Sequence, residues 1–178
     1  MKVDANYRFI AAAQEVTARI AQRQQALAMY VTLVVSLLAA LVALHPGDRV
    51  SSLPVEWLVL GFPVASICLA CLNYKTERAL TNLRSFMSTL ERLDNAHEEL
   101  PSYNTDPRWS QNANNARRFH DYASAILVGA GNLIAIAAVS KIYPDRVSGL
   151  SPIMWLTSAV AVACVLSLLL NPRLSYRP

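Results

Sequence analysis

The chain is poor in the residues from which active sites are usually assembled. Its three cysteines, Cys68, Cys71 and Cys164, all lie in apolar runs. An odd count with no cysteine outside those runs excludes a disulfide-stapled secreted fold. The three histidines, His45, His97 and His120, give neither HxxxH nor HxxE spacing. A metal centre needs several ligands converging at about 2 Å, so neither a metal nor any other cofactor is predicted. There is no glycine-rich phosphate loop and no GxSxG. The first residues, MKVDANYRFIAAAQEV, carry Asp4, Arg8 and Glu15 and contain no apolar h-region, which argues against a cleavable signal peptide. Ionisable side chains are almost missing from the long apolar runs. That scarcity speaks against proton-coupled transport and against most intramembrane catalysis. No enzymatic activity is expected.

Apolar residues are abundant. They make up 54% of 178 residues, and the mean hydropathy is +0.29. The excess over a soluble domain is clustered into four runs. Residues 26–44, ALAMYVTLVVSLLAALVAL, carry no charge. About 20 apolar residues cross a hydrocarbon core, so this run is a span. His45, Pro46, Gly47 and Asp48 stop it. A second span covers 53–72, a third 122–142 and a fourth 151–170, with Tyr143, Pro144 and Asp145 turning the chain between the last two. The fold predicted is all-α, a single polytopic membrane domain over 1–178. Glu56 is the one acidic residue placed within a span, and its position at the outer edge beside Trp57 reads as interfacial.

The remaining residues are helical but polar on one side. In 5–25, Phe9, Ile10, Ala13, Val16 and Ile20 recur every three or four positions. Arg8, Glu15, Arg19 and Arg23 fall on the other side, and Asp4 is placed to cap the helix. No breaker separates this stretch from the first span. Beyond the second span, Leu80, Leu83, Phe86, Met87, Leu90 and Leu93 form a packing stripe. Glu77, Arg78, Arg84, Glu91 and Arg92 are expected on the solvated face. The second span and this extension read as one long helix ending at Leu100, before Pro101. Residues 101–115 read as a loop, with Asn114 or Asn115 capping the next helix. Arg117, Arg118 and His120 are expected to anchor the third span at the headgroups.

The basic residues give an orientation. Of 16 Lys and Arg, 13 fall in residues 1–25, 73–120 and 171–178. The positive-inside rule therefore places both termini and the central segment in the cytoplasm, where 1–25 and 73–120 would form a helical bundle. The same rule accounts for the net charge of +4 without nucleic acid as a partner.

Three smaller features bear on mechanism. Gly61 and Pro63 lie inside the second span, where proline removes an amide donor and favours a bend, a possible hinge. In the third span, Ala125 with Gly129, and Gly131 with Ala135, are small-xxx-small pairs that allow close helix approach. Asn132, near mid-membrane, needs a partner on another helix. Together with the packing stripe, these predict a homo-oligomer. Cys68 and Cys71 match CxxC, but the pair falls toward the cytoplasmic end of its span and has no second pair. The two are expected to be small buried residues rather than redox centres.

A short helix, a membrane hairpin and a long amphipathic helix occur here in that order over residues 5–100. This architecture resembles the SLATT-type and related small membrane effectors of bacterial conflict systems. The second hairpin makes it more similar to four-span effectors. No motif accompanies the likeness, so it carries no residue roles. It implies an inner-membrane, channel-like effector in antiviral defence, set off by a soluble protein partner. A scaffold that recruits a cytoplasmic enzyme and a small transporter subunit are the other readings left open.

Overall fold

A computed structural model describes residues 4–44, 55–144 and 147–177. The turn residues His45, Pro46, Gly47 and Asp48, Asp145 and the Glu56 side chain lie outside the described residues. Every described element is a helix, and four of them are long and apolar enough to cross a membrane.

Helix α1 (Ala5–Ala43) is 39 residues long. It contains neither glycine nor proline, so nothing interrupts it between its polar and apolar halves. Asp4 caps it, accepting from the Asn6 amide. Helix α2 (Val55–Glu91) likewise runs unbroken from apolar to polar, continuing through a buried Pro63. It ends nine residues earlier than the sequence pattern predicts. Asp94 and Asn95 adopt left-handed φ values of 54° and 59°, which stop the helix. Among non-glycine residues, these two types tolerate that region best. One short turn of helix, α3 (Ala96–Glu99), follows.

Helix α4 (Pro107–Ile142) begins well before the predicted site. Asp106 caps it by accepting from the Arg108 amide at 2.8 Å, and Pro107 occupies the first turn, where no amide is needed. Asn114 and Asn115 therefore lie two turns inside the helix and cap nothing. Helix α5 (Val147–Leu170) continues into a short 3-10 turn, Asn171–Leu174.

Helix α1 packs on α2, α2 on α5, and α5 on α4, with α4 also touching α1 and α2. Phe62, Leu41, Leu69, Val128 and Leu168 fill the apolar centre. A Cβ on Gly61 would stand 2.9 Å from Leu37 Cδ1, so the glycine lets α1 and α2 meet closely. Gly131 does the same for α4 against Tyr30 and Val34 of α1, and Gly129 faces Val165 of α5. Ala125 and Ala135 are buried. The small residues of α4 are thus covered by helices of the same chain. In the polar half, Leu80 and Met87 are buried, and Leu83 and Leu90 are half-buried. Cys68 and Cys71 are exposed, contrary to the buried position expected for them, while Cys164 is buried.

Candidate functional site: a buried charge junction

Each helix changes from apolar to polar at one end of its apolar segment. At that level the four chain segments meet around charged side chains instead of hydrocarbon. Helix α1 brings Arg23, α2 brings Asn73 and Glu77, and α4 brings Arg117, Asp121 and Ser124. The segment after α5 brings Asn171 and Ser175. All eight are buried, with Glu77 at 0% exposure and Asp121 at 1%.

Glu77 is the hub. Its Oε2 accepts from Arg23 Nη1 at 3.3 Å. Its Oε1 pairs with Arg117 Nη2 at 3.1 Å and accepts from Ser175 Oγ at 2.9 Å. The other arm of Arg23 binds Asp121 on α4, and Asn171 is buried at the same level. A second layer lies farther from the spans. Arg84 and Arg117 both donate to Asn114 Oδ1, at 3.2 and 2.9 Å, and the Asn114 amide binds the Tyr176 carbonyl. Asn73 donates to Ser124 Oγ at 3.2 Å.

The electrostatics follow from this packing. Two arginines, Arg23 and Arg117, share two carboxylates, and Arg84 stands nearby bound to an amide oxygen instead. Burial pulls the Arg117 guanidinium down to about 10, with Glu77 acting against that drop. It remains charged at neutral pH. His120, just before the apolar segment of α4, is pulled down to about 4, chiefly by burial and then by Arg23, and is neutral. A buried pair of opposite charges is costly to desolvate, and removing one partner strands the other. Such a network therefore fixes one arrangement of helices more than it adds net stability.

Several placements correct the sequence reading. Glu77 and Arg84 are buried in the junction, not on the solvated face. Glu91 turns inward to clasp the loop after α3, accepting from the Asn104 and Thr105 amides at 3.0 and 2.9 Å. Arg23 is buried, although it falls on the polar side of its amphipathic stretch. Arg117 does not anchor the span at the headgroups. The missed signal was angular. Asn73, Glu77, Arg84, Ser88 and Glu91 recur at three- to four-residue spacing, in step with Leu80 and Met87. On α4, Asn114, Arg117, Asp121 and Ser124 do the same. Sorting residues by polarity hid a face that position alone would have shown.

Within the spans a smaller network lies on the core side. Asn132 Nδ2 donates to Ser66 Oγ of α2 at 2.8 Å, and the Tyr30 hydroxyl of α1 stands 3.5 Å from the same oxygen. At the far end, Tyr143 donates to the Leu41 and Leu44 carbonyls at 3.0 and 2.8 Å. Among the described residues, no three His, Cys, Asp or Glu side chains come together as a metal site.

What the junction can do chemically is hold and transmit position. No group in it is both exposed and nucleophilic. Comparison with family models, curated proteins and solved structures gives no match.

Proposed function

We propose that this chain is a non-enzymatic effector of the bacterial inner membrane, channel-like in action. It works as a homo-oligomer with both termini in the cytoplasm. There its polar helices form a small bundle that a soluble protein partner controls. The observation that carries this reading is the continuity of α1, α2 and α4 through the Arg23–Glu77–Arg117–Asp121 junction. A push on the polar ends of these helices cannot be absorbed locally. It must move the apolar halves or break buried ion pairs. Packed side chains such as Phe62 and Leu69 fill the centre of the single chain. A conducting path would therefore lie between copies. The resemblance to bacterial conflict effectors supplies the setting, antiviral defence.

The test is membrane potential. Induced expression, alone or with the partner, depolarises cells. An unchanged potential in both settings would sink the proposal.

A second reading is a scaffold that recruits a cytoplasmic enzyme. It is favoured by Tyr103 and Trp109, whose rings are exposed around the loop at the distal polar end. Aromatic residues are enriched at protein interfaces. That reading predicts a co-purifying partner and no conductance in liposomes.

A further inference from the structure

Helices α1 and α2 meet closely at Gly61 and Leu37, and from there toward their polar halves both line one depression. Between them lies a groove of about 790 Å³. That is within the range of sites for small ligands. Its length is apolar, lined by Met29, Leu33, Val64 and Leu72 among others, and all four of these belong to membrane-spanning segments. Its other end is polar. Arg19, Gln22 and Lys75 line it there, one to two turns beyond the apolar segments, at the level of lipid headgroups.

Two features set this end apart from an ordinary lipid-facing surface. Arg19 has Glu15 beside it, at 2.6 Å, but Lys75 has no ion pair among the described residues. Arg23 and Asn73 also line this end of the groove, at 4% and 0% exposure. Each keeps one buried polar atom with no hydrogen-bond partner, Arg23 Nε and Asn73 Oδ1. One is a donor and the other an acceptor. Unsatisfied buried groups of this kind are rare and call for a partner. The groove therefore joins a hydrocarbon-lined slot to a cationic end with an ammonium unpaired among the described residues, and two unsatisfied polar atoms lie buried in the residues behind it.

We propose that the α1–α2 groove holds one anionic phospholipid with a hydroxylated headgroup, of the phosphatidylglycerol class. An acyl chain lies along Met29, Leu33 and Val64. The phosphate sits between Arg19 and Lys75, and the headgroup hydroxyls face Gln22, whose side chain lines the same end. Basic pockets between membrane helices bind anionic headgroups in this way. Because Arg23 belongs to both the groove wall and the charge junction, the lipid would read the state of the junction directly. This site goes beyond the effector reading and stands whether or not the chain conducts.

The test uses the full chain in mild detergent, titrated separately with phosphatidylglycerol and phosphatidylcholine and read by native mass spectrometry. One phosphatidylglycerol per chain should bind at least about tenfold more tightly than phosphatidylcholine. Replacing Arg19→Gln together with Lys75→Gln should remove that preference. Both are surface changes outside the helix core. Val64→Trp, at an exposed position inside the groove, should lower occupancy with every charge retained. Equal binding of the two lipids would overturn the proposal, and so would unchanged preference in the double variant or unchanged occupancy in Val64→Trp. Cys68 also lines the groove. Efficient Cys68-to-Cys68 cross-linking between copies in native membranes would place a second copy of the chain there instead, and would equally overturn it.

Discussion

Arg23 and Glu77 are 54 positions apart in the chain, yet they meet at 3.3 Å with 4% and 0% of their side chains exposed. One lies on each helix of the first hairpin. Glu77 holds Arg117 as well, so removing its carboxylate strands Arg117 and leaves Arg23 with Asp121 alone. Glu77→Ala should destabilise the fold by about 3–5 kcal/mol. Reversible unfolding in mixed detergent micelles measures this. A loss below about 1 kcal/mol would mean that the pair is as weak as a surface ion pair.

The same pair predicts coupling. Arg23→Ala and Glu77→Ala combined should lose less stability than the sum of the two single changes, by about 0.5–3 kcal/mol. Strict additivity in this double-mutant cycle would show that the two residues act separately.

The two glycines of α4 should behave differently. A Cβ on Gly129 meets only Val165 at 3.7 Å, an ordinary contact. On Gly131 it meets the Tyr30 hydroxyl at 3.2 Å and Val34 at 3.4 Å, on a neighbouring helix. Gly129→Ala should be near neutral. Gly131→Leu should separate α1 from α4 and destabilise by about 1–3 kcal/mol. Thermal denaturation in detergent distinguishes them, and equal effects would contradict the packing described.

Asn132 and Ser66 offer a milder case. Hydrogen bonds between membrane helices contribute on average about 0.6 kcal/mol and rarely more than about 1.7. Asn132→Ala should fall within that range. Adding Ser66→Ala should then take away little more, since the shared bond is already gone.

Acid should weaken the fold through His120. Its value in the fold, about 4, lies below its ordinary 6.5. The unfolded chain therefore takes up a proton before the folded one does. The contribution is complete above pH 6.5 and is lost progressively as pH falls toward about 4. Arg23 of α1 and Glu77 of α2 border the same region. The neighbouring Asp121, pushed up chiefly by burial, acts in the opposite sense as pH falls. The diagnostic quantity is thus the difference between the native chain and His120→Asn. That difference should be constant above pH 7 and change between 6.5 and 4 in melting temperatures, as the native chain loses stability that His120→Asn does not.

The four spans were legible because the hydrophobic effect writes them directly into composition. Residues 26–44 need no structural context to be read as a membrane helix. The passage of α1 and α2 from lipid-facing to polar without a break was legible too, from the lack of breakers. The end of α2 was less so, since Asp94 and Asn95 stop the helix by backbone conformation, not by proline or glycine. The start of α4 was missed although Asp106-Pro107 is a strong cap signal, because the surrounding Asn and Ser suggested a loop. The charge junction was hidden for a deeper reason. Glu77, Arg117 and Asp121 are buried only because partners from distant parts of the chain neutralise them, and no single helix reveals those partners.

Asn171 and Ser175 sit in the junction with Arg23, Glu77 and Asp121, and they are the last of these residues to leave the ribosome. The shell around the boundary charges of the preceding helices is therefore incomplete until then. The arrival of residues 171–176 finishes covering them, so assembly ends as a latch closing after the helices have met.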